Sequence, residues 1–229
     1  MFLDVGGVFH LPAEERVREA LRGAGFELPA DGLARAHYAG MTGHDRGTAG
    51  TEYVGLMRPY VVELVRSLAM PTVQVDAAQT AVLAALTAPG AWTGQIRESV
   101  EELPRLAATG ARIAIVSNSD GTVEARLREE GICQVGPGPG VPVDAVVDSG
   151  TVGISKPDPR IWGPALAATG IGPAAAVHVG DSLLTDVSGA RAAGIEPIHF
   201  DPFRLCERTD HRHAQALADV TRLVLESRS

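Results

Sequence analysis

Four short polar stretches carry most of the reactive side chains of this 229-residue chain. Asp4 and Gly6-Gly7 end the apolar run Phe2–Val5, Ser117-Asn118 follow Arg112–Val116, and Gly180-Asp181-Ser182 follow Ala175–Val179, with Asp186 about one helical turn further on. A lone lysine, Lys156, lies in Ser155-Lys156-Pro157-Asp158-Pro159. In an open parallel sheet the carboxyl ends of the strands form the ligand crevice, so carboxylates, a hydroxyl, an amide and an ammonium group would meet there. One Asp at one strand end would be an ordinary helix N-cap. Three such ends together with a lysine point to a site for a charged ligand. The remainder of the chain offers no substitute for such a local site: 20 Lys+Arg against 28 Asp+Glu give a net charge of −8. That is the wrong sign for neutralising nucleic-acid phosphates or coating an anionic membrane.

The elements that position these residues follow from periodicity. Short strands are expected at Phe2–Val5, 112–116, 145–148, 175–179 and 197–200, alternating with helices at 96–108, 122–130, 159–168 and 184–193. This βα alternation implies a parallel sheet with helices on both faces, an α/β fold of three layers. Pro104 and Pro164 each remove a helical hydrogen bond unless they fall in a first turn, so those helices are expected to start later or kink. Between the first two strands the pattern is helical: Val17, Leu21, Ala24 and Leu28, then Tyr53, Leu56, Tyr60, Leu64 and Leu68, then a helix opened by Asp76 and running to Thr87. The expected organisation is therefore an α/β core of residues 1–10 and 95–229 interrupted by a helical insert of residues 11–94. With aromatics at 4%, Ala, Leu and Val supply the packing. Gly136-Pro137-Gly138-Pro139-Gly140 reads as a surface loop.

In the order and spacing of four motifs the chain resembles the haloacid dehalogenase-like hydrolase superfamily from Phe2 to about Phe200. The motifs are Phe2-Leu3-Asp4-Val5-Gly6-Gly7-Val8; Ile115-Val116-Ser117-Asn118; Ser155-Lys156-Pro157-Asp158-Pro159; and Val179-Gly180-Asp181-Ser182 with Asp186, Gly189-Ala190 and Ala193-Gly194. The resemblance implies a Rossmann-like core with a helical cap between motifs one and two, which is where the insert falls. It implies a magnesium-dependent phosphohydrolase of a small phosphorylated metabolite. Asp4 would attack phosphorus to form an aspartyl-phosphate. Ser117 and the Asn118 amide would hold phosphoryl oxygens, with Gly6 and Gly7 lining the same pocket, and Lys156 would bridge nucleophile and phosphate. Mg²⁺ would sit between Asp4, the Gly6 carbonyl and Asp181, and Asp186 would be a further ligand or would orient Lys156 or a metal-bound water. An all-oxygen shell is what magnesium prefers, and a carboxylate nucleophile needs cations to suppress its repulsion with a phosphate dianion.

One position departs from the pattern. The phosphatases of this superfamily carry a second aspartate two residues after the nucleophile, as general acid and base; here it is Gly6. A general acid/base is worth about 10²–10⁴ in rate. His10 is a candidate substitute or a hinge residue beside Pro12. The alternative reading is a non-catalytic or regulatory phosphate-binding domain. A third is a haloacid dehalogenase, whose metal-free chemistry has no use for the carboxylate pair Asp181 and Asp186. Substrate choice is expected from His37, Tyr38, His44, Asp45 and Arg46, within or beside the glycine-rich stretch Ala39–Gly50, read as a loop. His199, His211 and His213 read as surface histidines, and Cys133 and Cys206 as neither a disulfide framework nor a metal knuckle. Two scattered thiols, no basic leader and no apolar run long enough to span a bilayer suggest a reducing cytoplasm, with a monomer or homodimer and no nucleic-acid or membrane partner.

Overall fold

The structure is a computed structural model and describes residues 1–48 and 51–227. Its backbone divides into two units, one of residues 1–9, 96–202 and 208–229, the other of residues 10–95 and 203–207.

The first unit is built on a six-stranded sheet: β1 (Phe2–Leu3), β2 (Ala114–Ser117), β3 (Ala145–Asp148), β4 (Val177–Gly180), β5 (Glu196–Phe200) and β6 (Arg212–Ala214). Their order is β6-β5-β4-β1-β2-β3, with every neighbouring pair parallel. The fold is α/β and Rossmann-like, as the alternation implied. Phe2, Ala114, Val116 and Val147 pack with Ile161, Trp162 and Ala165 on one side of this sheet. Parallel strands buried on both faces read as continuous apolar runs, which is why they were legible.

The second unit holds α1 (Glu14–Gly23), α2 (Gly32–His44), α3 (Tyr53–Ser67) and α4 (Thr72–Thr87). Val17, Leu21, Tyr60, Leu64, Val82 and Leu86 form its core, fully or almost fully buried. Helix α4 starts at Thr72, ahead of the expected opening at Asp76, because Pro71 stands at its N-cap.

Helix α2 corrects the sequence reading. The stretch from Ala39 was expected as a loop, yet it is helical as far as His44; Ala49 and Gly50, at its end, lie outside the described residues. Its glycines serve close packing rather than looseness. A Cβ at Gly40 would come within 2.7 Å of the Tyr60 ring, and one at Gly43 would collide with the Pro59 carbonyl. Removing both side chains lets α2 lie against α3.

His37 and Tyr38, expected to select substrate, are buried in this helix. His37 Nδ1 is 2.8 Å from the Tyr60 hydroxyl, and its ring meets those of Tyr38 and Trp92 edge-on. Arg46 pairs with Glu63, and His44 Nδ1 lies 3.4 Å from Asp45 Oδ1. Burial, aided by His44, lowers the His37 pKa to about 3. The unfolded chain takes up that proton near pH 6.5 while the folded unit refuses it, so stability is lost as pH falls from about 6.5 towards 3, by up to about 1.4 kcal/mol per pH unit. Urea unfolding across that range should show this extra slope in the wild type and its loss in His37→Phe. Parallel pH profiles would refute it.

Besides a single turn at Ser149–Val152, the first unit has the helices α5 (Arg97–Ala108), α6 (Val123–Glu129), α7 (Gly163–Thr169), α8 (Ser188–Ala192) and α9 (Leu217–Glu226). Pro104 lies inside α5, which neither starts after it nor ends at it: Leu103 and Leu106 are fully buried, and their packing holds the helix through the missing bond. Pro164 does fall in a first turn, because a 3₁₀ turn at Pro159–Trp162 precedes α7. Leu183–Val187 form a π-turn rather than the start of an α-helix, and α8 follows it. The Gly136–Gly140 run is a loop between two short strands, Cys133–Val135 and Val141–Val143. Its glycines lie against the Gln134 side chain, which donates to the Gly136 and Gly140 carbonyls and accepts from Gly140 N–H. No helix among the described residues is long and apolar enough to cross a membrane.

Candidate active site

Strands β1, β2 and β4 end together. Leu3 is in register with Ile115 on one side and Val179 on the other, and Asp4 N–H continues the ladder by donating to the Val179 carbonyl at 2.9 Å. Asp4, Ser117 and Asp181 are therefore delivered to the same edge of the sheet. All three are buried, at 7%, 4% and 4% exposure.

Lys156 reaches this edge from the loop after β3. Its ammonium is 2.8 Å from Asp4 Oδ1 and 2.6 Å from Asp186 Oδ1, and its side chain is 1% exposed. The loop is held by Asn118: the Asn118 side-chain NH₂ donates to the Lys156 carbonyl at 3.0 Å, and Lys156 N–H donates to Asn118 Oδ1 at 2.8 Å. The Asn118 carboxamide is thus spent on positioning Lys156.

Asp186 belongs to the π-turn and folds back against the end of β4. Its Oδ1 meets Lys156 Nζ and lies 2.7 Å from His178 Nε2, while Oδ2 accepts from Ser182 N–H at 3.1 Å. This approach requires Gly180, where a Cβ would collide with the Asp186 carboxylate. Burial opposes ionisation of Asp186, but Lys156 and His178 outweigh it and hold the carboxyl well below the usual range. Burial likewise opposes charge on Lys156, and Asp186 and Asp4 reverse that, raising its pKa. Asp4 is pushed the other way: burial raises its pKa, Lys156 offsets only part of this, and Asp186 adds to it.

The acidic set tests whether a divalent cation fits. One oxygen from each of Asp4, Asp181 and Asp186 lies within 4.8 Å of the others. The Lys156 ammonium is shared between Asp4 and Asp186, burial is the main reason that Asp4 resists ionisation, with Asp186 adding to it, and an all-oxygen donor set of this kind suits a divalent cation. Gly7 makes room for this arrangement. It adopts φ +64, and a Cβ there would fall within the Asp181 carboxylate. Gly7→Ala is therefore expected to cost at least ~1 kcal/mol from backbone strain and, by displacing Asp181, to weaken at least tenfold any divalent cation held by this acidic set. Calorimetric titration with Mg²⁺ checks this, and unchanged affinity in a folded variant would refute the cradle. Gly6 differs: a Cβ there meets nothing within 4 Å, and its φ is not in the left-handed region.

The fold thus gathers Asp4, Ser117, Asn118, Lys156, Asp181 and Asp186 from across the sequence. His10 is buried in a two-residue strand paired with Gln95, which fits a crossing point between the two units. Two positioning residues escaped the sequence reading. His178 is buried inside β4, where nothing in the pattern separates it from a packing residue. Asp148 accepts from the N–H groups of Gly121, Val123 and Gly150 at 2.9–3.1 Å and so ties down the loop after Ser117. Its signal, an Asp closing a strand before Ser-Gly-Thr, was available as an N-cap signature.

A model of the haloacid dehalogenase-like hydrolases matches residues 4–194. A mouse relative, haloacid dehalogenase-like hydrolase domain-containing protein 3, is 32% identical over 191 residues, which are 81% of this chain and 65% of the relative. The chain therefore spans just under two thirds of that relative's length. Phosphoserine phosphatase of Thermus thermophilus is 50% identical over 56 residues, 24% of this chain and 22% of the relative. Among solved structures, a HAD phosphatase from Thermococcus onnurineus superposes with a TM-score of 0.55 at 17% identity, covering 97% of this chain and 96% of that one. A 2-haloacid dehalogenase from Pseudomonas syringae gives 0.54 at 18%, covering 100% and 98%. The shared fold thus spans two chemistries, and the matched sequence, with its strand-end motifs in place, shows that this chain belongs to the haloacid dehalogenase-like hydrolases.

Proposed function

We propose that the chain is a magnesium-dependent phosphohydrolase of a small phosphomonoester, working through an aspartyl-phosphate on Asp4. The observation that carries this reading is the buried set Asp4–Lys156–Asp186 with Asp181 beside it, a strand-end carboxylate that shares the Lys156 ammonium with Asp186 and lies within cation-sharing distance of two further carboxylates. The relatives that bear phosphatase names support it. Asp4, Asp181 and the Gly6 carbonyl would hold Mg²⁺, which would supply charge neutralisation for both the nucleophile and the phosphoryl oxygens. Asp186 is assigned to orienting Lys156, since both of its oxygens are engaged by protein donors.

In this mechanism an Asp4 oxygen attacks phosphorus in line as the bond to the leaving alkoxide breaks. Lys156 stays cationic between Asp4 and the phosphoryl group. The Ser117 hydroxyl and the Asn118 main-chain N–H hold the phosphoryl oxygens in the transition state. Water then cleaves the aspartyl-phosphate, releasing inorganic phosphate and restoring Asp4. With Gly6 in the usual acid position, the leaving oxygen takes its proton from water. A reducing, cytoplasmic setting is part of the proposal, since two scattered cysteines do not make a disulfide framework.

Steady-state hydrolysis of p-nitrophenyl phosphate tests the proposal, because its phenolate leaves without protonation. Turnover with Mg²⁺ that disappears on adding chelator and returns with excess Mg²⁺ is expected. Turnover unaffected by chelator, or none at all, would overturn it.

A further inference from the structure

Away from the hydrolytic residues, three histidines converge on the outer edge of the sheet. His213 on β6 stands directly opposite His199 on β5, and His211, two residues before His213, projects to the same face by strand alternation. Their ring centroids are 4.6–5.3 Å apart, with His211 and His213 stacked. One ring nitrogen from each lies within 4.8 Å of the others. Two of them are not surface histidines, His199 at 6% exposure and the His211 side chain at 0%, while the His213 side chain is half-buried at 26%.

The hydrogen bonds set the tautomers. His199 Nε2 lies 3.1 Å from the Asp181 carbonyl and His213 Nε2 lies 2.9 Å from the Arg208 carbonyl, so each must carry its hydrogen on Nε2. His211 Nδ1 lies 3.0 Å from Asp210 Oδ1, a carboxylate held ionised by Arg208 and Arg191. In the neutral rings the lone pairs are then on Nδ1 of His199, Nδ1 of His213 and Nε2 of His211. Metal-binding histidines are oriented in this way, with the second nitrogen donating to a carbonyl or carboxylate. Asp201 Oδ2, 3.8 Å from His213 Nδ1, adds negative charge beside the cluster.

We propose that His199, His211 and His213 form a binding site for a divalent transition metal of the zinc class, separate from the acidic magnesium site. Three imidazoles suit Zn²⁺ and serve Mg²⁺ poorly, so the two sites divide the metals by donor softness. Side-chain rotation of under about 2 Å closes the nitrogens to the spacing that Zn–N bonds of about 2.0–2.1 Å require. A bound metal would pin edge strand β6 to β5. Through His199 it would also steady the backbone carbonyl of Asp181, one strand further in.

The test is calorimetric titration of the full chain with Zn²⁺ in excess Mg²⁺, which keeps the carboxylates occupied, with X-ray absorption at the zinc edge on the loaded protein. One zinc per chain with an imidazole scattering pattern is expected, together with at least a 100-fold loss of affinity in His211→Ala/His213→Ala. Should that variant fail its circular-dichroism check, His213→Gln alone is expected to lose at least tenfold. Asp181→Asn should bind zinc as the wild type does. No zinc bound, an all-oxygen shell, or unchanged affinity in the folded histidine variants would overturn the proposal.

Discussion

Asp4→Asn is expected to abolish hydrolysis, lowering kcat by about 10⁴-fold or more while the chain still folds. Losing a residue that forms the covalent intermediate commonly costs several orders of magnitude, because the remaining binding groups only position substrate and stabilise charge. The substitution changes almost no volume. It removes one carboxylate from a buried set in which Lys156 still pairs with Asp186 at 2.6 Å, so no unpaired buried ammonium is left behind. Circular dichroism and thermal melting should match the wild type, and no labelled aspartyl-phosphate should be trapped on rapid acid quench. Phosphatase activity within tenfold of wild type in a pure sample would exclude Asp4 as the nucleophile.

Gly6→Asp is expected to raise hydrolysis of alkyl phosphates by about 10²–10⁴-fold, the usual contribution of a general acid and base. The site has room for it: a Cβ at position 6 meets nothing within 4 Å and faces no left-handed backbone. Hydrolysis of p-nitrophenyl phosphate should change far less, since its leaving group needs no proton. This contrast separates a restored acid from a general gain in stability or expression. No gain on alkyl phosphates, with inorganic phosphate still bound, would favour the non-catalytic phosphate-binding reading. The neighbouring Gly7 cannot be used in the same way, because the space beside its Cα is already filled by Asp181.

Legibility in the sequence followed burial pattern. The strands of the α/β unit were readable because both of their faces are covered, so apolar runs such as Ala114–Val116 stand out against polar ends. Helix α2 was not readable as a helix, since Gly40 and Gly43 lower local helix propensity by about 1 kcal/mol each and carry a packing role visible only against Tyr60 and Pro59. Pro104 likewise marked a boundary that the buried Leu103 and Leu106 override. His37 and Tyr38 had the side chains of a specificity loop and the environment of a core.

The sequence by itself determined the strand-end chemistry: Asp4, Ser117, Lys156, Asp181 and Asp186 are placed by the alternation of strands and helices, and their order carries the family. It also determined that the usual acid is absent, since Gly6 is a matter of identity rather than geometry. What each polar group does was decided only by the tertiary structure. Asp186 has three candidate roles in the sequence, and the convergence of Lys156, His178 and Ser182 on its oxygens favours orienting Lys156. Asn118 could face a ligand or the protein, and its reciprocal bonds with Lys156 turn it to the protein. His211 and His213 are close along the chain, but His199 lies a dozen residues upstream, and only the register of β5 against β6 makes it their neighbour. The reason is common to all three cases. Local periodicity fixes which element a residue is on, whereas the partner that satisfies a buried polar atom comes from a distant segment that only packing brings within 3 Å or so.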